Sequence, residues 1–243
     1  MFENSSQRKV KIISEIHPQH YGSMNEIKRM ILQNKINGAD YVKVQLYSSQ
    51  ELFNNKDREY LDISKEELFE IYNYGKMVGI EIFASIFDKT RVDWCEEIGI
   101  GLYKIASRSV EDKKLCEKII STNKPVVISL GMYDYKTKEL PYRSSNVIYL
   151  YCVSKYPTSL KDLEMPEFNN SFFSGFSDHT VGIGASLYAV SKGAEYIEKH
   201  YSNNKSMNID TQMAHVCSMN DQDLSKLREL SDTFTLINSY QKK

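Results

Sequence analysis

Tyr41-Val42-Lys43-Val44-Gln45-Leu46 reads as a β-strand carrying charge where core residues are expected. Side chains alternate across a strand, so Val42 and Val44 share one face and Lys43 and Gln45 the other. At a sheet edge the Lys43 ammonium could stay in water. A strand without an edge must give it an anion or a carboxylate. Working outward, seven further apolar or β-branched runs appear: Val10–Ile16, Ile80–Phe87, Leu102–Ala106, Val126–Leu130, Val147–Cys152, Phe172–Phe176 and Tyr196–His200. The eight runs start roughly 20 to 40 residues apart, too far for hairpins, so each gap holds a crossover, usually a helix. Eight β-then-α units in 243 residues predict a (β/α)8 TIM barrel. An open doubly wound sheet is the competitor, but the chain has neither G-x-G-x-x-G nor a Walker motif.

Helix signals fall in the gaps. Ser23-x-x-Glu26, Ser64-x-x-Glu67, Ser109-x-x-Asp112 and Ser218-x-x-Asp221 each fit a capping box. Met24, Ile27 and Ile31 then share one face, and Leu224, Leu227, Leu230, Phe234 and Ile237 form an apolar stripe. Gly38, Gly79, Gly99 and Gly193 stand where helices should end in a left-handed cap. Two units are trimmed. Only 15 residues separate Gly131 from Val147, with Pro141 among them, and Leu160–Ser171 is short for a sixth helix. No linker divides the chain, so 1–243 is expected to form one domain, with 1–9 as an N-terminal extension.

Composition narrows the function classes. The chain is 41% hydrophobic and 26% charged with a net charge of −1, and no apolar run approaches the ~20 residues of a membrane span. Residues 1–7 lack the apolar core of a signal peptide, and no basic block suggests a nucleic-acid surface. Cys95, Cys116, Cys152 and Cys217 show no C-x-x-C spacing and read as buried thiols, so a cytoplasmic location is expected.

Polar residues interrupt other strands too. Lys104 opposes Tyr103 and Ile105; Glu15 and His17 share a face, as do Ser177 and His179, and Glu198 and His200. In a barrel these point inward at the C-terminal end, where barrel enzymes keep their chemistry. A lone strand lysine usually sits at an edge, and one serine at a strand end usually caps a helix. Two lysines with Ser107, Ser129 and Ser177 describe a pocket for a small polyanion such as a phosphate ester. Imidazoles at His179 and His200 suit a divalent metal with open positions, although two histidines without a spacing motif are more often core or rim. Tyr156 and Asp210 lie in loops after strands six and eight and are unremarkable by periodicity. His20 and His215 read as surface or loop histidines.

These residues fall within longer blocks. Ile13-Ser14-Glu15-Ile16 with Gln19-His20-Tyr21-Gly22 resembles the A-E-I-G-x-N-H-x-G opening of the N-acetylneuraminate (sialic acid) synthase family. Residues 38–45 resemble its G-A-D-x-V-K-x-Q, 103–107 its Y-K-I-A-S and 124–132 its K-P-V-I-L-S-T-G-M. Tyr156-Pro157-Thr158 corresponds to Y-P-T, 175–180 to G-F-S-D-H-T and 197–201 to I-E-K-H-F. The blocks run in order from about residue 10 to 238.

The resemblance implies condensation of phosphoenolpyruvate with an aldose, an N-acetylmannosamine-like or diamino-dideoxy sugar, giving a nine-carbon 2-keto acid and phosphate. It implies phosphoenolpyruvate contacts at Lys43, Ser85, Lys104, Ser107, Ser129 and Ser177, and metal ligands, for Mn²⁺ or Mg²⁺, at His179 and His200. Glu15, Gln45, Tyr156, Glu198 and Asp210 are implied on the sugar side, with Lys43 between the two. A homodimer is also implied. Departures stand beside the matches: Arg108-Ser109 replaces G-E, Leu130 a Thr, Ser154 an Asn, 84–87 S-T-P-F and 207–210 P-G-P-D. The resemblance covers the family's barrel and not its small antifreeze-like C-terminal domain, which brings an arginine to the partner's sugar. The expectation is therefore an altered acceptor, a more open mouth closed by a loop, a neighbouring subunit or a separate protein, and weak condensation with N-acetylmannosamine. The other readings are a different metal-dependent barrel enzyme using the same anion pocket, or a scaffold that kept the core. Retained buried charges favour an enzyme, since apolar replacements would stabilise a scaffold.

Overall fold

A computed structural model describes residues 10–206 and 215–241. Strand β1 (Lys11–Glu15) pairs in parallel with β2 (Tyr41–Leu46) on one side and with β8 (Tyr196–His200) on the other. Between them run β3 (Glu81–Ile86), β4 (Tyr103–Ile105), β5 (Val126–Ser129), β6 (Val147–Cys152) and β7 (Phe173–Asp178), all parallel. The sheet closes as a barrel in chain order, as the spacing predicts. No strand has a free edge, so the bland reading of Lys43 and Lys104 as edge lysines is excluded.

Register sets what points inward. Glu15 lies beside Lys43 and His200, Gln45 beside Ser85, Ser85 beside Lys104, and Ser177 beside both Cys152 and Glu198. One turn deeper the same face carries Ile13, Phe83, Val127 and Leu150, all fully buried. The barrel interior is therefore an apolar core beneath a polar C-terminal mouth.

Helices cover six of the eight units: α1 (Met24–Ile36), α3 (Lys65–Val78), α4 (Lys89–Ile98), α5 (Lys113–Ile120), α6 (Gly184–Ser191) and α7 (Asp221–Gln241). A short extra helix, α2 (Ser49–Phe53), sits in the loop after β2. Ser23 caps α1, and Ser64 forms a full capping box with Glu67 on α3. Two of the four expected boxes are displaced. Asp112, not Ser109, caps α5, because Ser107–Ser109 winds into a 3-10 turn first. At α7 the reciprocal pair is Asn220 with Asp223, not Ser218 with Asp221. Gly38, Gly79, Gly99 and Gly193 all adopt the left-handed conformation expected of them. The α7 stripe is buried at Leu224 and Leu227, but Ile237 is 44% exposed, so the helix leaves the barrel before the stripe ends.

The trimmed units are as expected. No helix lies between β5 and β6, and only two 3-10 turns, Leu160–Asp162 and Phe168–Asn170, lie between β6 and β7. Aromatic packing covers the gap: Tyr135 meets Phe173 edge-on at 5.0 Å, Tyr149 meets Phe172 at 6.0 Å, and the Tyr149 hydroxyl donates to Tyr142 O at 2.5 Å.

Candidate active site

The mouth encloses a cavity of about 590 Å³. Its floor is a charge lattice. Lys43 Nζ lies 2.5 Å from Glu15 Oε2 and 3.5 Å from Glu198 Oε2, and donates to Ser85 Oγ at 2.9 Å. Lys104 Nζ lies 3.6 Å from Glu198 Oε1 and donates to Ser129 Oγ at 2.6 Å. Ser177 Oγ donates to Glu198 at 2.9 Å, and Gln45 Nε2 donates to Glu15 at 3.3 Å. Ser107 Oγ accepts the Gly131 N–H at 3.1 Å, joining the exits of β4 and β5. All of these side chains line the cavity.

The two carboxylates sit in different fields. Burial opposes ionisation of Glu198, but Lys104 and Lys43 overcome it and hold its carboxyl down at about 2. Glu15 has one lysine and the His17 N–H at 2.8 Å; burial prevails there and raises its pKa. Lys43 is desolvated too, yet Glu15 and Glu198 keep it charged, whereas burial lowers Lys104 against Glu198. Glu198 is thus a fixed anion, and Glu15 is the carboxyl closer to exchanging a proton. Glu198 Oε2 is also buried without a hydrogen bond.

His179 and His200 face one another across 5.8 Å, with the Tyr156 ring 4.1 Å from His179 and 5.9 Å from His200. His179 Nδ1 lies 3.0 Å from Val153 O, and a carbonyl only accepts, so Nδ1 carries a hydrogen and Nε2 is left as the ligating nitrogen. His200 Nδ1 faces the Gln19 amide, with Nε2 at 3.2 Å and Oε1 at 3.4 Å, so its tautomer follows the orientation of that amide, and burial keeps His200 neutral. Burial by itself would lower His179 as well, but Cys152, the Val153 carbonyl and Asp178 raise it, so the two rings differ in proton affinity. Once deprotonated, two imidazoles facing a polar cavity fit a divalent ion that takes its other ligands from water or substrate oxygens. Among the described residues no third His, Cys, Asp or Glu joins them.

Behind β7, Asp178 accepts from the Thr180 N–H at 2.7 Å and from Ser186 Oγ at 2.5 Å, and pairs with fully buried Lys199 at 3.1 Å. This outward network fixes the chain on both sides of His179, and the strand pattern gave no warning of it.

Two histidines read as surface residues are buried: His20 and His215 are each 1% exposed. The Gly22 N–H donates to His20 Nδ1 at 3.0 Å, so His20 Nε2–H donates to His17 Nδ1 at 2.9 Å, and His17 Nε2–H donates to the Tyr47 hydroxyl at 2.9 Å. This neutral relay backs Glu15 through the His17 backbone. Its parts come from a loop and two strand ends, where periodicity carries no signal. Phe53, Arg58 and Cys152 also line the cavity and were not anticipated. Asp210 and residues 207–209, like 1–9, lie outside the described residues.

An eight-stranded parallel barrel whose C-terminal mouth gathers Glu15, Lys43, Lys104, His179, Glu198 and His200 around one cavity is a (β/α)8 barrel with a polar mouth. Residues 30–242 match the model of the NeuB family, and the chain belongs to that family. It is 33% identical over 212 residues to a protein of Methanocaldococcus jannaschii, covering 81% of this chain and 63% of that one. It is 31% identical over 235 residues to the pseudaminic acid synthase of Campylobacter jejuni, covering 84% and 68%. The chain thus spans about two thirds of these relatives' length. The crystal structure of an N-acetylneuraminic acid synthetase from Leptospira borgpetersenii superposes with a TM-score of 0.83 at 26% identity, over 98% of this chain and 89% of that one.

Proposed function

We propose that this chain condenses phosphoenolpyruvate with an open-chain aldose to give a sialic-acid-like 2-keto-3-deoxy sugar acid and phosphate. The observation that carries the reading is the Lys43–Lys104 pair, each ammonium on a serine hydroxyl, set against Glu15 and Glu198 in one mouth. Membership in a family whose relatives include a pseudaminic acid synthase supports it. Lys104, Ser107, Ser129 and Ser177 hold the phosphate of phosphoenolpyruvate, and Lys43 and Ser85 hold its other oxygens. Gln45, Tyr156 and Glu198 line the sugar side, and the family resemblance assigns Asp210 to the same substrate.

In the reaction, C3 of phosphoenolpyruvate bonds to the aldehyde carbon, whose oxygen takes a proton and becomes a hydroxyl. The cation left at C2 is met by the fixed negative charge of Glu198. Water adds at C2 and Glu15 accepts one of its protons; the second leaves with the phosphate as the C2–O bond breaks and the keto group forms. Lysines and serines aimed at the phosphate stabilise it as it leaves. His179 and His200 would hold a divalent ion, Mn²⁺ or Mg²⁺, which when bound would supply the Lewis acidity that polarises an aldehyde carbonyl.

Incubation with phosphoenolpyruvate, Mn²⁺ and a panel of N-acetylated and deoxy aldoses tests this. Phosphate release that depends on the aldose and matches sugar-acid formation is expected. Release independent of every aldose would overturn the reading.

A further inference from the structure

The lattice at the floor is balanced: two lysines face two glutamates. The rim of the same cavity is not. Arg58, from the loop after α2, and Arg108, from the turn after β4, both line it. Their guanidinium carbons stand 5.5 and 5.4 Å from the centroid of one ring, Phe53 at the end of α2. Among the described residues neither arginine has a carboxylate partner, whereas Arg29, Arg91, Arg143 and Arg228 each do. A guanidinium over an aromatic face keeps its in-plane N–H donors for a planar or phosphate anion.

The platform under them is built. Phe53 stacks edge-on against buried Tyr47 at 5.7 Å, and Tyr47 against Phe87 at 5.9 Å. Asp62 takes the Ser49 N–H at 2.9 Å and its hydroxyl at 2.6 Å, fastening the start of α2. Two cations thus share one fixed ring at the rim, away from the lysine–serine floor. Arg108 also adds positive charge where the family resemblance has glycine, and Ser109 removes a carboxylate beside it.

We propose that the acceptor sugar of this chain is itself an anion, carrying a phosphate or carboxylate at the end remote from its aldehyde, and that Arg58 and Arg108 bind that group. The proposal rests on the condensation reading and specifies its acceptor.

The experiment compares N-acetylmannosamine, its 6-phosphate and N-acetylmannosaminuronic acid as acceptors, with phosphoenolpyruvate and Mn²⁺ saturating, in wild type, Arg58→Gln and Arg108→Gly. Calorimetric binding of each sugar and of phosphoenolpyruvate is measured in parallel. The expected result is at least about a tenfold lower KM for one anionic sugar, phosphate and uronate being told apart by which it is, lost in either variant. Neutral and anionic sugars used equally well by all three proteins would overturn the proposal while leaving the condensation standing. So would variants that lose phosphoenolpyruvate binding with sugar affinity unchanged, since the arginines would then serve the other substrate. Arginine-dependent binding of an anionic sugar without turnover would support the subsite and count against the condensation.

Discussion

Lys104 is the residue on which the proposed phosphate site turns. It is 2% exposed, with Glu198 as its nearest carboxylate and Ser129 as its hydrogen-bond acceptor. Lys104→Ala should weaken phosphoenolpyruvate binding about a hundredfold, in line with the roughly 3 kcal/mol of a hydrogen bond to a charged group. Titration calorimetry measures it, and an unchanged affinity would place the phosphate elsewhere. The histidine pair is tested separately. Protein purified without chelator should hold one divalent ion, and His179→Ala/His200→Ala should hold none. Equal metal content by elemental analysis would return both rings to a packing role. Parity along each strand already showed Glu15, Lys43, Lys104, Glu198 and His200 to be inward. It could not show that Glu198 answers both lysines while Glu15 answers one, because that depends on which strands neighbour β8 and β2.

At the scale of elements, the β7–β8 seam is the sensitive joint. Gly175 lies opposite Tyr196, and a Cβ there would sit 2.1 Å from Tyr196 O. Backbone cannot retreat inside a closed barrel, so Gly175→Ala should cost at least the 1–3 kcal/mol typical of overpacking and should disturb the adjacent Ser177–Glu198 contact. Ser64→Ala removes one cap from an exposed helix start and should cost about 1 kcal/mol. Thermal melts of the two variants rank them; a larger drop for Ser64→Ala would contradict the seam argument. Helix starts were legible where the cap precedes the helix directly, as at Ser23 and Ser64. They slipped where a 3-10 turn consumed the serine first, as at Ser109, since a propensity pattern does not specify which of two nearby caps the backbone reaches.

For the whole molecule, the buried imidazoles set the acid limit of stability. Burial holds His20 down at about 4, and burial with neighbouring cations lowers His17 well below its ordinary range. Unfolded histidine titrates near 6.5, so the folded state binds fewer protons between these values. The stability this represents is complete above about pH 6.5 and is lost as pH falls toward about 4, His20 alone accounting for about 3 kcal/mol. Urea unfolding at pH 7.5 and pH 5 should show a marked drop for wild type and a smaller one for His20→Gln. Equal drops would mean that His20 binds its proton alike in the folded and unfolded states and does not set the acid limit.

The sequence by itself determined the barrel, its eight strands, its two trimmed units and the inward parity of the polar residues. These follow from local rules: period-two alternation, crossover spacing and glycine at left-handed caps act within one element and its connection. Only the tertiary structure decided the rest. It buried His20 and His215, aligned His179 against Val153, set Arg58 and Arg108 over one phenylalanine and gave the two glutamates unequal partners. The physical reason is that closing the sheet makes neighbours of β1 and β8, whose residues are separated by most of the chain. Charge, desolvation and tautomer depend on those neighbours and not on the residues beside them in sequence.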